Sequence, residues 1–267
     1  MRTIVVAGAT GNQGGATVEA LLAGGWRVRA LTRDVGSGRA RALEGKGAEV
    51  READFGRPDT LVRAFEGAYG VFSVQARGKD EVRHGVAVAE AARKAGVEHL
   101  VYTSVGGVDR VRGIPHFDTK WEIEQHILAG GLPYTFLRPS TFMETFAGKG
   151  AGIGLSMMAA ALGERGTLQL VAARDIGVFA RIVFDKRLVG QSLELAGDEL
   201  TVPRISEIAG VPYRKMPRGL LRLMGREGRM FFWFAESGYQ ADIAALRALH
   251  PGLLTFGAWR EEQRSAA

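Results

Sequence analysis

The stretch Gly8-Ala9-Thr10-Gly11-Asn12-Gln13-Gly14-Gly15 directly follows Thr3-Ile4-Val5-Val6-Ala7 and decides the fold. The β-branched run before it is typical of a strand buried on both faces, and apolar residues recur at helical spacing after it. Glycines at such a strand-to-helix turn permit the sharp turn, close approach of backbone N–H groups to a pyrophosphate, and close helix packing. We therefore predict a dinucleotide site, with an ordinary turn as the alternative. Its predicted contacts are Gly8, Thr10, Gly11, Asn12, Gln13 and Gly14.

Further strands are predicted along the first half of the chain, separated by helices, at residues 28–31, 48–51, 71–74, 100–103 and 134–137. Strands that alternate with helices at this spacing form a parallel sheet with helices on both faces. We predict an α/β fold, with a Rossmann-type doubly wound parallel sheet in residues 1–150. The change of pattern after that point predicts a smaller, mostly helical substrate-side lobe over residues 151–267, partly packed back on the sheet.

The residues after the second strand distinguish the two nicotinamide cofactors. Arg33 and Asp34 lie there side by side. A carboxylate at this point binds the ribose 2′-hydroxyl of NAD, whereas an arginine accommodates the 2′-phosphate of NADP. Arg33 comes first and has basic neighbours, so we favour NADP(H), with a solvated turn arginine as the alternative. The other members of this basic cluster are Arg27, Arg29, Arg39, Arg41 and Lys46.

Ligands of such sheets bind beyond the carboxyl ends of the strands, so the residues after the other strands are candidate cofactor contacts. They are Asp54, Phe55, Val74, Gln75, Thr103, Ser104, Pro139, Ser140, Thr141 and Phe142, of which Val74 and Thr103 are the last residues of their predicted strands. Asp54 and Phe55 are expected to hold the adenine, although Asp54 is equally suited to cap the following helix. The backbone of residues 139–142 is expected to face the nicotinamide, and Phe142 either borders the substrate or belongs to the core.

A polar loop ends in His116-Phe117-Asp118-Thr119-Lys120, and a helix is predicted over residues 120–128. If that helix already includes His116, then His116 and Lys120 lie four residues apart and share a face. A histidine transfers protons near neutral pH, so His116 is a candidate acid. An exposed loop histidine after a proline is the alternative.

Composition and charge limit the classes of function. The 267 residues include no cysteine, which excludes disulfides, thiolate metal sites and a cysteine nucleophile. No histidine pair has metal-ligand spacing and G-x-S-x-G is absent, so neither a metal site nor serine-hydrolase chemistry is predicted. The net charge is +6, but the basic residues form no run, so direct nucleic-acid binding is not expected. With neither a bilayer-spanning stretch nor room for a targeting peptide before the first strand, no membrane association and a cytoplasmic location are expected.

Taken together, these motifs resemble the NmrA-like family of atypical short-chain dehydrogenases/reductases. The matching segments are GATGNQGG (8–15), LTRD (31–34), VYTSVGG (101–107), HFDTKWEIE (116–124), LPYTFLRPSTFMETF (132–146), ARDIG (173–177) and HPGLLTFGAW (250–259). The resemblance implies a Rossmann domain with a smaller C-terminal lobe, which binds NADP through the glycine loop and Arg33. It also implies that Lys120 holds the nicotinamide ribose, while His116 stands where typical short-chain reductases carry a proton-donating tyrosine.

Two functions are compatible with this resemblance. The first is an NADPH-dependent reductase of a small hydrophobic carbonyl, quinone, imine or enone substrate, with Lys120 and His116 as the catalytic residues. The second is a non-catalytic NADP(H) sensor or transcriptional co-regulator that acts through a protein partner. The missing tyrosine favours the sensor, whereas the His–Lys pair and an aromatic-lined lobe favour the enzyme. A homodimer is compatible with both.

Overall fold

The structure, a computed structural model, describes residues 2–148 and 150–265. The chain forms two compact units, each assembled from three segments. Unit 1 comprises Met1–Ser104, Thr119–Leu137 and Arg174–Leu193, and unit 2 comprises Val105–Asp118, Arg138–Ala173 and Glu194–Ala267. Each unit contains segments from both sides of residue 150. The division of the chain into a domain of residues 1–150 and a lobe of residues 151–267 stays a prediction.

Strands and helices alternate through the first half of the chain: β1 (Thr3–Ala7), α1 (Asn12–Ala23), β2 (Arg27–Thr32), α2 (Gly38–Gly45), β3 (Glu49–Glu52), α3 (Pro58–Phe65), β4 (Gly70–Ser73), α4 (Glu81–Lys94), β5 (His99–Thr103), α5 (Pro115–Ala129) and β6 (Tyr134–Pro139). The second half contains β7 (Thr141–Phe142), α6 (Ala151–Leu162), β8 (Thr167–Val171), α7 (Ala173–Lys186), β9 (Gln191–Leu195), β10 (Asp198–Thr201), α8 (Val202–Ala209), α9 (Arg229–Glu236), α10 (Ile243–Leu249) and α11 (Phe256–Ser265). Short 3-10 helices lie at Met143–Phe146 and Arg218–Met224. Within residues 2–148 and 150–265, no helix has the length and apolar character needed to cross a membrane.

The main sheet has the strand order β3-β2-β1-β4-β5-β6-β9. Every pair from β3 to β6 is parallel, and Val5 of β1, for example, pairs with Arg29 of β2 and with Val71 of β4. Strands β4 and β5 are buried over their whole length, as expected of parallel strands covered on both faces. The strand order reverses between β1 and β4, which is the arrangement of a doubly wound Rossmann sheet and confirms the predicted fold class.

Helix α3 shows how the sequence pattern produces packing in unit 1. Pro58 lies in the first turn, where its missing N–H removes no helical hydrogen bond. Leu61, Ala64 and Phe65 follow at a spacing of three and four residues, so they lie on one face. All three are buried in the same core as Tyr102 of β5. The spacing of these residues therefore specifies both the helix and the face that it buries.

Helix α7 and the start of β9 complete unit 1 from a late part of the chain. Gly177 of α7 lies so close to α1 that a Cβ atom there would be 2.5 Å from the carbonyl carbon of Ala16. Farther along α7, Asp185 accepts a hydrogen bond of 2.7 Å from the indole nitrogen of Trp26. The glycine of the ARDIG segment thus permits α7 to pack directly against the helix that follows the glycine loop.

Unit 2 contains a three-stranded sheet that the sequence analysis did not predict. Its central strand β8 pairs antiparallel with β10 and parallel with β7. Helices precede and follow the strands of this sheet along the chain. Among them, α9 carries three buried aromatic residues, Phe231, Trp233 and Phe234. The ring of Trp233 packs edge-on against Phe117 of the same unit, with 5.0 Å between the ring centroids. These aromatic side chains form part of the core of unit 2.

Candidate active site

The three glycines of the loop have different structural roles. Gly8 has a φ of +89°, and a Cβ atom there would lie 2.6 Å from the carbonyl oxygen of Val74. A Cβ atom on Gly14 would lie 2.1 Å from the carbonyl oxygen of Gly8. At Gly11 the nearest atom to a Cβ would be the same oxygen, at an ordinary 3.4 Å. Gly8 and Gly14 are therefore required by the turn and by helix packing, while a side chain at Gly11 would begin with only one ordinary contact.

Helix α1 begins at Asn12 with its first turn open to a ligand. Gly11 is the N-cap residue, so no side chain caps the helix start. The first N–H groups of a helix have no partner within the helix, and they carry its partial positive charge. An uncapped start next to an open glycine is the arrangement that binds phosphate groups. Thr10, Asn12 and Gln13 lie at this point, as predicted from the sequence.

The loop after β2 separates the roles of Arg33 and Asp34. The carboxylate of Asp34 accepts a hydrogen bond of 2.9 Å from the N–H of Gly36, which closes a local turn. Arg33 is exposed and has no hydrogen bond or ion pair among the residues that the structure describes. Arg39 donates a hydrogen bond of 3.2 Å to the carbonyl oxygen of Thr10 in the glycine loop. Arg33 is thus unpaired directly after β2, and Arg39 lies against the glycine loop.

Three other members of the basic cluster are engaged by protein groups, and Arg27 begins β2, at the opposite end of that strand from Arg33. Arg29 binds the carboxylate of Glu49 at 3.1 Å and also donates to a backbone carbonyl in α3. Arg41 donates to the carbonyl of Gly36, and Lys46 pairs with Glu19. Arg33 is therefore the unpaired arginine that follows β2 directly, and Arg39 is the cluster member that contacts the glycine loop. The sequence analysis placed only Arg33 in the site.

Asp54 and Phe55 form the turn after β3. The carboxylate of Asp54 accepts a hydrogen bond of 2.8 Å from the N–H of Gly56. Arg57 is the N-cap residue of α3, so Asp54 does not cap that helix. Phe55 is half-buried and meets the imidazole of His84 edge-on, with 5.7 Å between centroids. The adenine contact stays a prediction, and the capping alternative is wrong.

Buried polar atoms collect at the carboxyl ends of β4 and β5. The amide nitrogen of Gln75 donates to the hydroxyl of Ser73 at 2.9 Å. The side-chain carbonyl of Gln75 and the hydroxyl of Ser104 are buried without a hydrogen-bond partner in the described part of the chain. Buried polar groups are nearly always hydrogen-bonded, so these two atoms fit a polar ligand at the strand ends.

Lys120 lies in the first half of α5, and its side chain is only 13% exposed. Its ammonium lies 3.0 Å from a carboxylate oxygen of Glu81 and donates a hydrogen bond of 3.4 Å to the carbonyl oxygen of Thr103. Burial lowers the pKa of Lys120, and the nearby Glu81 carboxylate opposes that shift. The hydroxyl of Thr103 donates to the side chain of Gln13 at 2.7 Å. Unit 1 therefore links the predicted lysine to the glycine loop through Thr103.

The remaining candidate residues belong to unit 2. His116 lies in the same helix as Lys120, because α5 begins at Pro115 rather than at residue 120. Ser140 donates its N–H to the carbonyl of Leu195 at 2.9 Å, and its hydroxyl is buried without a partner among the described residues.

Pro139 is the last residue of β6, and Thr141 and Phe142 are half-buried in β7. The nicotinamide contacts expected at residues 139–142 stay predictions, as does proton donation by His116. No group of three or more His, Asp or Glu side chains with the geometry of a metal site occurs within the described ranges.

The fold and the glycine loop define a protein of the Rossmann class. More specifically, the chain belongs to the NmrA-like family, whose family model matches residues 1–214. This confirms the resemblance read from the sequence motifs.

Among related sequences, the NmrA-like family domain-containing oxidoreductase himF of Aspergillus japonicus is 34% identical over 162 residues, which cover 55% of this chain and 48% of that protein. The NAD(P)H azoreductase of Xenophilus azovorans is 30% identical over 188 residues, which cover 66% of this chain and 61% of that protein. The chain spans about half the length of several oxidoreductases that it matches.

Among solved structures, the NADPH-dependent quinone oxidoreductase QOR2 of Escherichia coli, complexed with NADPH, has the same fold. The TM-score is 0.81 at 22% identity, over 98% of this chain and 99% of that chain.

Proposed function

We propose that this protein is an NADPH-dependent reductase of a small hydrophobic compound with a carbonyl, quinone, imine or enone group. The observation that carries the proposal is the arrangement in unit 1, where Gly11, the unpaired Arg33 and the buried Lys120 lie at the carboxyl ends of β1, β2 and β5. The relatives support this proposal, since one is named an oxidoreductase and another an NAD(P)H azoreductase.

The residues of unit 1 fit the chemical groups of NADPH. Backbone N–H groups at the start of α1 suit the pyrophosphate, because no side chain caps that end. Arg33 and Arg39 suit the 2′-phosphate, which NADH lacks. The unpartnered oxygens of Gln75 and Ser104 suit polar groups near the carboxyl ends of β4 and β5.

When bound, NADPH supplies the hydride. In this proposal Lys120 holds the ribose hydroxyls beside the nicotinamide, which fixes the ring for transfer. The backbone of residues 139–142 receives the carboxamide. The substrate would take its proton either from His116, which stands in α5 where typical short-chain reductases carry a tyrosine, or from water.

The deciding experiment measures NADPH consumption against a panel of quinones, azo compounds, imines and enones. We expect turnover of at least one class and a marked preference for NADPH over NADH. A Gly11→Val variant provides the matched blank, because a Cβ atom at this position would make only one ordinary contact, at 3.4 Å, within the protein. Tight NADPH binding without turnover on any compound would refute the reductase and favour the redox sensor acting through a protein partner.

A further inference from the structure

Glu81 is a buried carboxylate at the carboxyl edge of the main sheet. It begins α4, which follows β4, and only 2% of its side chain is exposed. One carboxylate oxygen lies 3.0 Å from the ammonium of Lys120, and the other accepts a hydrogen bond of 3.0 Å from the hydroxyl of Thr119. A buried charge is tolerated only when it is paired, so Glu81 and Lys120 depend on each other.

Three titratable groups face Lys120 from the elements packed around it: Glu81 of α4, Glu124 of α5 and Tyr102 of β5. Glu124 and Tyr102 are fully buried, and the ammonium of Lys120 lies 5.4 Å from the centre of the Tyr102 ring. Burial lowers the pKa of Lys120, while Glu81 and then Glu124 raise it. Burial and these same two carboxylates raise the pKa of Tyr102, so the phenol stays neutral. The charge on Lys120 is therefore maintained chiefly by Glu81.

The same contacts also fix the location of the ammonium. Glu81 holds it from α4, and the carbonyl of Thr103 accepts from it at the end of β5. Because the hydroxyl of Thr103 binds Gln13, the ammonium keeps a fixed relation to the glycine loop. A lysine side chain without such restraints samples many rotamers, so fixing this one reduces the entropy lost when a ligand binds.

We propose that Glu81 is a positioning residue that keeps Lys120 charged and fixed for contact with the dinucleotide. The inference rests on the proposed function for the contact between Lys120 and the cofactor ribose. The coupling between Glu81 and Lys120 is a property of the free protein. The two can therefore be tested separately.

The first test follows the titration of Lys120 in the free protein. In a protein labelled with carbon-13 at lysine, the NMR chemical shift of each Cε atom changes when the amine loses its proton. The signal that is missing from the spectrum of Lys120→Arg is that of Lys120. In Glu81→Gln the pKa of Lys120 should fall by at least about one unit, which is a tenfold loss of proton affinity. Glu81→Asp keeps the negative charge but holds it farther from Lys120. The pKa of Lys120 in this variant should lie between the values in the unmodified protein and in Glu81→Gln. An unchanged midpoint in either variant would overturn the proposal, and Glu81→Asp carries the test if Glu81→Gln does not fold.

The second test measures NADPH affinity between neutral and alkaline pH. The unmodified protein should lose NADPH affinity only as Lys120 deprotonates. In Glu81→Gln the pH at which NADPH affinity falls should be lower, by the same amount as the pKa of Lys120 falls in the first test. Glu90→Gln is the matched control, since this carboxylate also lies on α4 but pairs with Arg93 and His126 at the surface.

Each outcome of the two tests has a separate meaning. A shifted Lys120 titration with an unshifted NADPH profile would overturn the role of Glu81 toward the cofactor. Failure of the unmodified protein to bind NADPH would instead refute the proposed function, and the Lys120 titration would still decide the coupling.

Discussion

Replacing Arg33 with alanine should weaken the binding of NADPH without weakening the binding of NADH. Arg33 is exposed and has no ion pair among the described residues, so the change removes no intramolecular bond and should leave stability unchanged. A hydrogen bond to a charged group contributes about 1.5–3 kcal/mol. Solvent screening at an exposed position favours the lower end, about 1.5 kcal/mol, which weakens NADPH binding roughly tenfold. NADH lacks the 2′-phosphate, so its affinity should stay the same.

Arg39 extends this reasoning, because it donates to the carbonyl of Thr10 in the glycine loop. Arg39→Ala should by itself weaken NADPH binding by a factor of about ten. It should also slightly weaken NADH binding, since the glycine loop loses one restraint. In the variant that lacks both Arg33 and Arg39, the preference for NADPH should disappear.

The assay titrates both cofactors at constant ionic strength by fluorescence or calorimetry. Arg63→Ala is the matched control, since Arg63 is an exposed arginine of unit 1 whose partner is Asp59 of the same helix. It removes one positive charge without touching the loop after β2. Equal affinities of the unmodified protein for NADPH and NADH would refute the reasoning. So would an Arg33→Ala variant in which both cofactors weaken to the same extent.

Three further predictions concern the loop, the proposed acid and the acid stability of unit 1. Gly11→Val should fold normally yet lose NADPH binding, whereas Gly8→Val should lower the melting temperature because its Cβ would meet backbone; thermal melts and titrations of the two variants check this. His116→Ala should lower turnover by ~10²–10⁴-fold with NADPH affinity intact, and unchanged turnover in steady-state kinetics would assign the proton to water. Burial lowers the pKa of His99 from 6.5 to about 4, so the unfolded chain binds more protons in this window and stability is lost as pH falls through it. Urea unfolding measured between pH 6.5 and about pH 4 should show that the free energy of unfolding falls by up to about 3 kcal/mol, and this loss should be absent in His99→Gln. The same dependence of the free energy of unfolding on pH in both proteins would contradict this account.

The central sheet was predictable because its signals are local. The apolar run of β1, the glycine turn and the pattern of α3 each specify one element within a few residues. The small sheet of unit 2 escaped prediction because its strands depend on distant partners. β10 has only four residues, two of them acidic, and becomes a strand by pairing with β8 about thirty residues earlier in the chain.

The candidate site divides in the same way. Arg33 and the glycines could be proposed from the sequence because Arg33 and the start of the glycine loop each follow a strand directly. Glu81 was missed because it lies in the charged run Lys79-Asp80-Glu81, which has the composition of a solvated helix start. Its burial follows from a partner, Lys120, that comes much later in the chain. Likewise, the choice between Arg33 and Asp34 depends on a local turn that the residue types alone do not reveal.

The late arrival of α7 in unit 1 has a consequence during synthesis of the chain. Gly177 places α7 directly on α1, and the intervening segment Arg138–Ala173 belongs to the other unit. A ribosome therefore releases the nucleotide loop and its first strands well before the helix that covers α1. Closing so long a segment costs only slightly more entropy than closing a short one, so this connection delays folding more than it destabilises the product. A nascent chain stopped before residue 174 would leave one face of α1 exposed to water and to chaperones, despite carrying the complete glycine motif.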